Sequence, residues 1–393
     1  MMTGKPSLIF INQAAAYLTI DILNAFIERY NCILYTGKLI PLSTNLHKDV
    51  KVVYLKRYDN SSGFSRIFSW SLFTIQVFFK LISGKGNADL FIVSNPPTAP
   101  MLGYLFNKLK KTKYHLLIYD VYPDALVSMK MIGQKNPLTR IWSGINHRVY
   151  KHADSIFTLS IHMASLIKNY YRNTKVEIVP NWADSNSIKP IEKSLNHFAV
   201  KYSQVDKLTF MYSGNMGATH AIERIAELAA KLVKDDDVNF FLVGEGSKKQ
   251  LLQQIKDEKE LHNLYILPYQ PAGDFTQTIA SADFGIVTLS AGAENLSVPS
   301  KTYNLLAAGV PLFVMAAANS ELARLVNEYD CGVHFEEHEI SKMIDFINYI
   351  KKDNERLLQL KSNAFVASRN FTPANAQQYL KTISRNSNVS QIV

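Results

Sequence analysis

The chain has 393 residues, 47% apolar and 19% charged, a globular composition suited to two domains of roughly 180 residues and too long for one ordinary core. Residues 1–190 carry 23 Lys and Arg against 10 Asp and Glu, while residues 191–393 carry 20 against 23, so the net charge of +10 resides in the first half. That imbalance speaks against plain solubility charge and for an anionic partner there: nucleic acid, a phosphorylated substrate or a membrane surface. Cys32 and Cys331 stand about 300 residues apart in apolar stretches, which excludes a disulfide scaffold and predicts buried free thiols in a reducing compartment. No metal-ligand spacing is present.

No charged-then-apolar leader opens the chain, so no signal peptide is expected. Apolar runs at 7–11, 32–36, 51–55, 90–94, 115–119, 155–159 and 176–179 predict strands. Amphipathic stretches at 20–30, 100–110, 138–151 and 163–171 fall between them, and this alternation specifies βαβ units with a mainly parallel sheet. The 13 uncharged residues 67–79, between Arg66 and Lys80, are too few to span a bilayer. They fit an interfacial helix with its aromatic side on lipid, and equally a buried helix. Carboxyl ends of parallel strands are where open α/β sheets take ligands. Asp120 stands at such an end, before Pro123 and Asp124, and is a candidate acceptor of a proton from an attacking hydroxyl, against the ordinary role of a turn cap. Ser94-Asn95-Pro96-Pro97 ends the preceding strand and shapes the same edge. Pro180-Asn181-Trp182 closes the half as a hinge anchor or an acceptor contact.

A polar linker from about 184 to 206 precedes a second series. It comprises strands at 208–212, 238–243, 264–267, 284–289 and 312–315, helices at 221–233 and 248–256, and a helix-rich tail from Glu339. Asp235-Asp236-Asp237 lies between a helix and a strand and reads as a solvated turn. Gly214, Asn215 and Gly217 follow the first of these strands, Gly244, Glu245 and Gly246 the second, and Tyr269 the third. The glycines admit close backbone approach to a ligand, and a helix start adds partial positive charge for an anion. The third glycine and the ribose acid of the dinucleotide fingerprint are missing, so the glycine turn alone is a weak signal. Three strand ends pointing at one place, together with the segment at 298–311, make the case for a mononucleotide diphosphate site. Ser300 and Lys301 open a helix after the strand at 284–289 and bring a cation to the same edge.

Together, Ser94-Asn95-Pro96-Pro97, Asp120-Val121-Tyr122-Pro123-Asp124, Pro180-Asn181-Trp182, Ser213-Gly214-Asn215-Met216-Gly217, Gly244-Glu245-Gly246 and Pro299-Ser300-Lys301 with Ala307-Ala308-Gly309-Val310-Pro311 resemble the family 4 glycosyltransferases. The subgroup they resemble is that of bacterial colanic-acid and O-antigen assembly, over residues 85–320. The resemblance implies an α/β GT-B fold, two Rossmann-like doubly wound domains facing each other across a cleft. Residues 1–185, with a returning C-terminal helix at 372–393, would bind the acceptor, and residues 186–371 the nucleotide sugar. It further implies metal-independent transfer with retention, no resident cofactor, and a nucleotide diphosphate sugar as donor, UDP-sugar ahead of GDP-sugar. The acceptor would be a lipid-linked glycan in cell-surface polysaccharide assembly. The enzyme would be cytoplasmic, peripheral on the inner face of the bacterial plasma membrane, with its basic half on anionic lipid.

The implied catalytic set is Asp120, Lys301 and Glu294. Gly214, Asn215, Gly217, Gly244, Glu245, Tyr269, Ser300 and Asn304 would hold the nucleotide sugar, and Asn95, Asn181 and Trp182 the acceptor or hinge. There are departures from the family pattern. Residues 12–16 replace a glycine-rich first loop, and Asn304 stands where a second donor glutamate is expected. Glu294 lies near the first glutamate with displaced spacing, and the usual Arg and Lys fall near Asn215 and His220. Lys301 is therefore the expected charge partner of the diphosphate, well ahead of Lys248. Two rival functions remain at this point: a sugar-nucleotide epimerase of the same fold, which would convert donor without acceptor, and a non-catalytic nucleotide or nucleic-acid binder. Few aromatic-plus-basic clusters of the single-strand-binding type support the nucleic-acid reading.

Overall fold

A computed structural model describes residues 5–84, 87–128, 131–217, 220–289 and 299–389. The chain forms two compact units, Met1–Asn181 with Pro373–Val393, and Trp182–Thr372. The first contains β1 (Ser7–Ile11), β2 (Ala14–Ala16), α1 (Tyr17–Phe26), β3 (Asn31–Thr36), β4 (Lys38–Ile40), β5 (Lys51–Tyr54), α2 (Gly63–Ser83), β6 (Ala88–Val93) and α3 (Ala99–Lys110). It continues with β7 (Tyr114–Ile118), α4 (Asp124–Ser128), α5 (Pro137–His152), β8 (Ser155–Thr158), α6 (Ile161–Tyr170) and β9 (Val176–Ile178). Seven strands make one sheet in the order β5-β3-β1-β6-β7-β8-β9, parallel throughout. The order reverses at β1, the signature of a doubly wound sheet with ligands at the strands' carboxyl ends.

The second unit begins with α7 (His197–Lys201), β10 (Leu208–Ser213), α8 (Glu223–Lys231), β11 (Val238–Val243), α9 (Lys249–Glu258), β12 (Leu264–Leu267) and α10 (Phe275–Ala280). It goes on through β13 (Phe284–Thr288), α11 (Lys301–Ala307), β14 (Leu312–Met315), α12 (Glu321–Tyr329), β15 (Gly332–Phe335), α13 (Ile340–Ile350) and α14 (Asn354–Ser368). Its parallel sheet runs β12-β11-β10-β13-β14-β15, with the switch point between β10 and β13. Continuous apolar runs explain both sheets, since a parallel strand covered on two faces needs no polar alternation. Every residue of β7 and of β11 is buried. The chain then returns: α15 (Ala376–Val389) seats Tyr379 against Phe157 and Phe91 of the first unit, ring centroids 4.8 and 6.0 Å apart.

Each strand expected from an apolar run is present. The short pair β2–β4 and β15 were not expected. Gly-Val-His-Phe carries no apolar run, and β15 is held by close backbone approach instead: a Cβ on Gly332 (φ +158°) would lie 2.1 Å from the Leu312 carbonyl oxygen. The segment 67–79 belongs to the longer helix α2, whose Ser62 hydroxyl caps it by accepting from the Ser65 N–H at 3.0 Å. Ser69, Phe73, Val77 and Leu81 form its buried face, and its other face is open. Among the described residues no helix is long and apolar enough to cross a membrane.

Candidate functional site

In the second unit the ends of β10, β11 and β12 are tied together beyond the sheet. The Gly214 N–H donates to the Val243 carbonyl and the Gly244 N–H to the Leu267 carbonyl, both at 2.9 Å. The Met216 N–H donates to the Glu245 carbonyl at 2.7 Å, and the Lys248 N–H to the Met216 carbonyl at 3.0 Å. Gly214 and Gly244 adopt φ of +147° and +149°, a region that side chains strain to enter. A Cβ on Gly244 would sit 2.0 Å from the Gly214 carbonyl oxygen. These glycines therefore supply clearance, and their N–H groups serve the ladder and not a ligand. We expect Gly244→Ala to cost about 1–3 kcal/mol from the strained φ alone, and more from the clash, read as a lowered denaturation midpoint together with weakened nucleoside diphosphate affinity.

Lys301, the first residue of α11, extends under these turns. Its Nζ is buried, has no hydrogen-bond partner among the described residues, and stands 3.6 Å from the centroid of the Tyr212 ring. It also lies 3.2 Å from where a Cβ on Gly214 would be. The ring face attracts the ammonium but returns only part of the lost hydration, so burial pushes the lysine pKa down to about 7. The Tyr212 hydroxyl donates to the Asn215 carbonyl at 2.6 Å, so one side chain holds both the turn and the cation.

The neighbours divide sharply. His220 is pushed below the ordinary imidazole range, first by burial and then by the Lys301 charge. Its Nδ1 lies 2.9 Å from the Thr288 carbonyl oxygen, an acceptor only, so the neutral ring carries its proton on Nδ1. It supplies no cation. The Lys248 amine is taken by Glu223 at 2.7 Å and by the His220 carbonyl at 2.7 Å. Helix α8 starts at Glu223 and not directly after the glycine turn, with that acid in its first turn, so its dipole offers an anion little.

Tyr269 is exposed beside Gly244 and offers an open ring face. Glu245 and Asn215 are exposed, Gly217 closes on the Asn215 side chain, and Glu245 pairs with Lys249 at 2.7 Å. Ser300 is exposed at the start of α11 with its side chain free of a capping bond. The Asn304 Oδ1 is buried without a partner among the described residues. Glu294 lies outside the described residues.

In the first unit, Asp120 stands at the carboxyl end of β7. The Ser94 hydroxyl, at the end of β6, accepts from the Tyr119 N–H at 2.9 Å, and the Asn95 carbonyl accepts from the Gln13 N–H at 2.8 Å. The loops after β1, β6 and β7 are thereby braced around the carboxylate. Asp120 remains open to solvent, yet the protein around it displaces enough water to push its pKa up to about 6. Asp124 is engaged by the Tyr170 hydroxyl, which leaves Asp120 as the free carboxylate of that turn. The Asn181 Oδ1 is buried without a partner among the described residues. Trp182 is fully buried and offers no surface to a ligand, so of its two expected roles only anchoring is open to it.

Sequence reasoning missed Tyr212. Tyr212 sits in an apolar strand and reads as core. Its available signal was a hydroxylated ring two residues before a glycine turn.

Residues 194–366 match the family model described as glycosyl transferases group 1. The chain is 26% identical over 278 residues to the probable glycosyltransferase WbjE of Pseudomonas aeruginosa, covering 69% of this chain and 67% of the relative. It is 24% identical over 278 residues to the putative colanic acid biosynthesis glycosyl transferase WcaI of Escherichia coli K12, covering 68% and 67%. Sucrose-phosphate synthase of Thermosynechococcus elongatus matches with a TM-score of 0.77 over 98% of this chain and 100% of its own, at 12% identity. HepE of Anabaena, solved with UDP and glucose, matches with a TM-score of 0.71 over 97% and 100%, at 15% identity. At such identities the structural likeness speaks for the GT-B fold.

Proposed function

On the premise that the chain is a group 1 glycosyltransferase of GT-B fold, the family to which residues 194–366 belong, we propose that it moves a sugar from a nucleotide diphosphate sugar to a lipid-linked glycan acceptor with retention of configuration. The observation that carries this reading is the buried Lys301 amine beneath the Gly214 turn, which has no hydrogen-bond partner among the described residues. A buried cation without a counter-ion is costly alone and favourable once an anion arrives. A diphosphate is the anion that suits a turn cleared of side chains by Gly214 and Gly244, with an open aromatic ring at Tyr269 to stack a base. The UDP found with HepE favours UDP-sugar over GDP-sugar as donor. The name of WcaI, a putative colanic acid biosynthesis glycosyl transferase, favours work in polysaccharide assembly. We take the product to be a cell-surface polysaccharide, O-antigen or capsule, made at the cytoplasmic face of the plasma membrane.

In this reading the bond from the sugar C1 to the phosphate oxygen breaks as the acceptor oxygen bonds to C1 from the same face. The departing phosphate oxygen takes the acceptor proton, and Asp120 orients that hydroxyl. Lys301 meets the charge growing on the diphosphate, where preorganised electrostatics contribute most. The Asn304 amide accepts from a ribose hydroxyl as a neutral substitute for a carboxylate. The reading requires no covalent nucleophile and no resident cofactor.

The test is a screen of UDP- and GDP-sugars for nucleoside diphosphate release, with and without a lipid-linked glycan extract. Acceptor-dependent release supports transfer. Conversion of donor without acceptor identifies an epimerase. Nucleotide binding with no turnover in any arm identifies a binder.

A further inference from the structure

The open face of α2 is apolar. Phe64, Ile67, Phe68, Ile75, Phe79 and Ile82 fall on one side at helical spacing and are between 47% and 80% exposed. They span about 27 Å of helix at 1.5 Å per residue. The opposite face already supplies the core contacts, so packing within the unit does not account for this stripe. A continuous apolar surface of this size marks an interaction site.

The surroundings say with what. Helix α3 lies against α2, with Phe106 and Phe78 ring centroids 5.8 Å apart, and α5 lies against α3 through His152 and Tyr104 at 5.3 Å. Leu109 on α3 and Leu138 and Ile141 on α5 are exposed as well. These three helices carry seven Lys and Arg and no Asp or Glu. Lys110 donates to the Leu81 and Ile82 carbonyls at 2.9 and 3.1 Å, setting a cation at the C-terminal end of the stripe. Lys56 lies 6.0 Å from the Phe68 ring. Two such faces would repel each other, which disfavours a second copy as the occupant. An anionic surface with an apolar interior satisfies both features.

We propose that the outer face of α2, with α3 and α5 beside it, lies flat on an anionic lipid bilayer, its Phe and Ile stripe entering the headgroup–acyl boundary. The inference shares with the functional proposal only the membrane location; it stands on the surface of the first unit alone.

The test is flotation of the full chain with vesicles of phosphatidylglycerol and phosphatidylcholine, against phosphatidylcholine alone. The wild type should bind the anionic vesicles, release at 0.5 M salt on the order of its screened attraction, and bind neutral vesicles at least tenfold less. The double variant Ile67→Glu/Ile75→Glu, both residues being exposed, should lose at least tenfold of the binding with its thermal midpoint unchanged. The milder Ile67→Ser/Ile75→Ser should lose less. Undiminished binding by the Glu variant, equal binding to neutral vesicles, or no wild-type binding overturns the docking face. So does a dimer in gel filtration that the Glu variant dissolves while vesicles are ignored. Nucleoside diphosphate release from the donor, measured in the same preparations without vesicles, separates the two proposals. Turnover without vesicle binding removes the docking face and leaves transfer standing.

Discussion

Lys301→Ala should lower kcat on the order of 10²–10³-fold, about 2.7–4 kcal/mol of barrier, because in the proposed reaction it removes the buried cation facing the leaving diphosphate. Lys248→Ala should change turnover little, since that amine is already held by Glu223 and the His220 carbonyl. A second readout separates electrostatics from packing. With its pKa near 7 in the free protein, Lys301 is largely neutral at pH 8, and a bound diphosphate favours the protonated form. Nucleoside diphosphate binding at pH 8 should therefore take up a proton, seen calorimetrically as a heat that depends on the buffer. Lys301→Met, which keeps the apolar stem, should abolish the uptake. Persistent uptake in that variant, or unimpaired turnover in Lys301→Ala, would remove the lysine from the mechanism.

Asp120→Ala should cost about 10²–10⁴-fold in turnover, the range for a positioned group that handles a proton. In its proposed role the carboxylate must be ionised to accept a hydrogen bond from the acceptor hydroxyl. With its pKa raised to about 6, kcat/KM should fall as the pH drops through that value. In the proposed reaction Lys301 must be protonated to receive the donor, so kcat/KM should also fall as the pH rises through about 7. The result is a narrow bell for the free enzyme. In kcat the alkaline limb should move upward, because the bound diphosphate holds the proton on Lys301. Asp120→Asn should erase the acid limb and leave the alkaline one. A profile unchanged in Asp120→Asn would show that another group titrates there.

Much of this architecture is legible in the residues because a parallel sheet buried on two faces writes its strands as unbroken apolar runs. The run in β11 is as plain in sequence as in space. What is held by backbone approach leaves no such trace, and β15, seated by Gly332 against Leu312, is the example. At the candidate site, Lys301 was readable as a cation at a strand's carboxyl end. Its lack of a partner was not, because that depends on Lys248 finding Glu223 across 25 residues. Tyr212 was unreadable for a related reason: strand alternation gives its place in the sheet but not which cation the ring face meets. The stretch 67–79 was ambiguous between core and interface because α2 is apolar on both faces, one buried and one open.

The interlocked turns at Gly214, Gly244 and Gly246 have a consequence for how this protein can change. Main chain packs against main chain there, with clearances that forbid even a methyl group at Gly244. The frame proposed to receive the donor is thus tightly packed and indifferent to side-chain identity. The residues at its rim, Asn215, Glu245 and Tyr269, are exposed, and among the described residues their side chains meet only the turns themselves and Lys249. If these turns hold the donor as proposed, exchange of rim side chains should alter donor preference at little cost in stability, while the frame itself stays fixed. Recognition and architecture would then be written in separate residues.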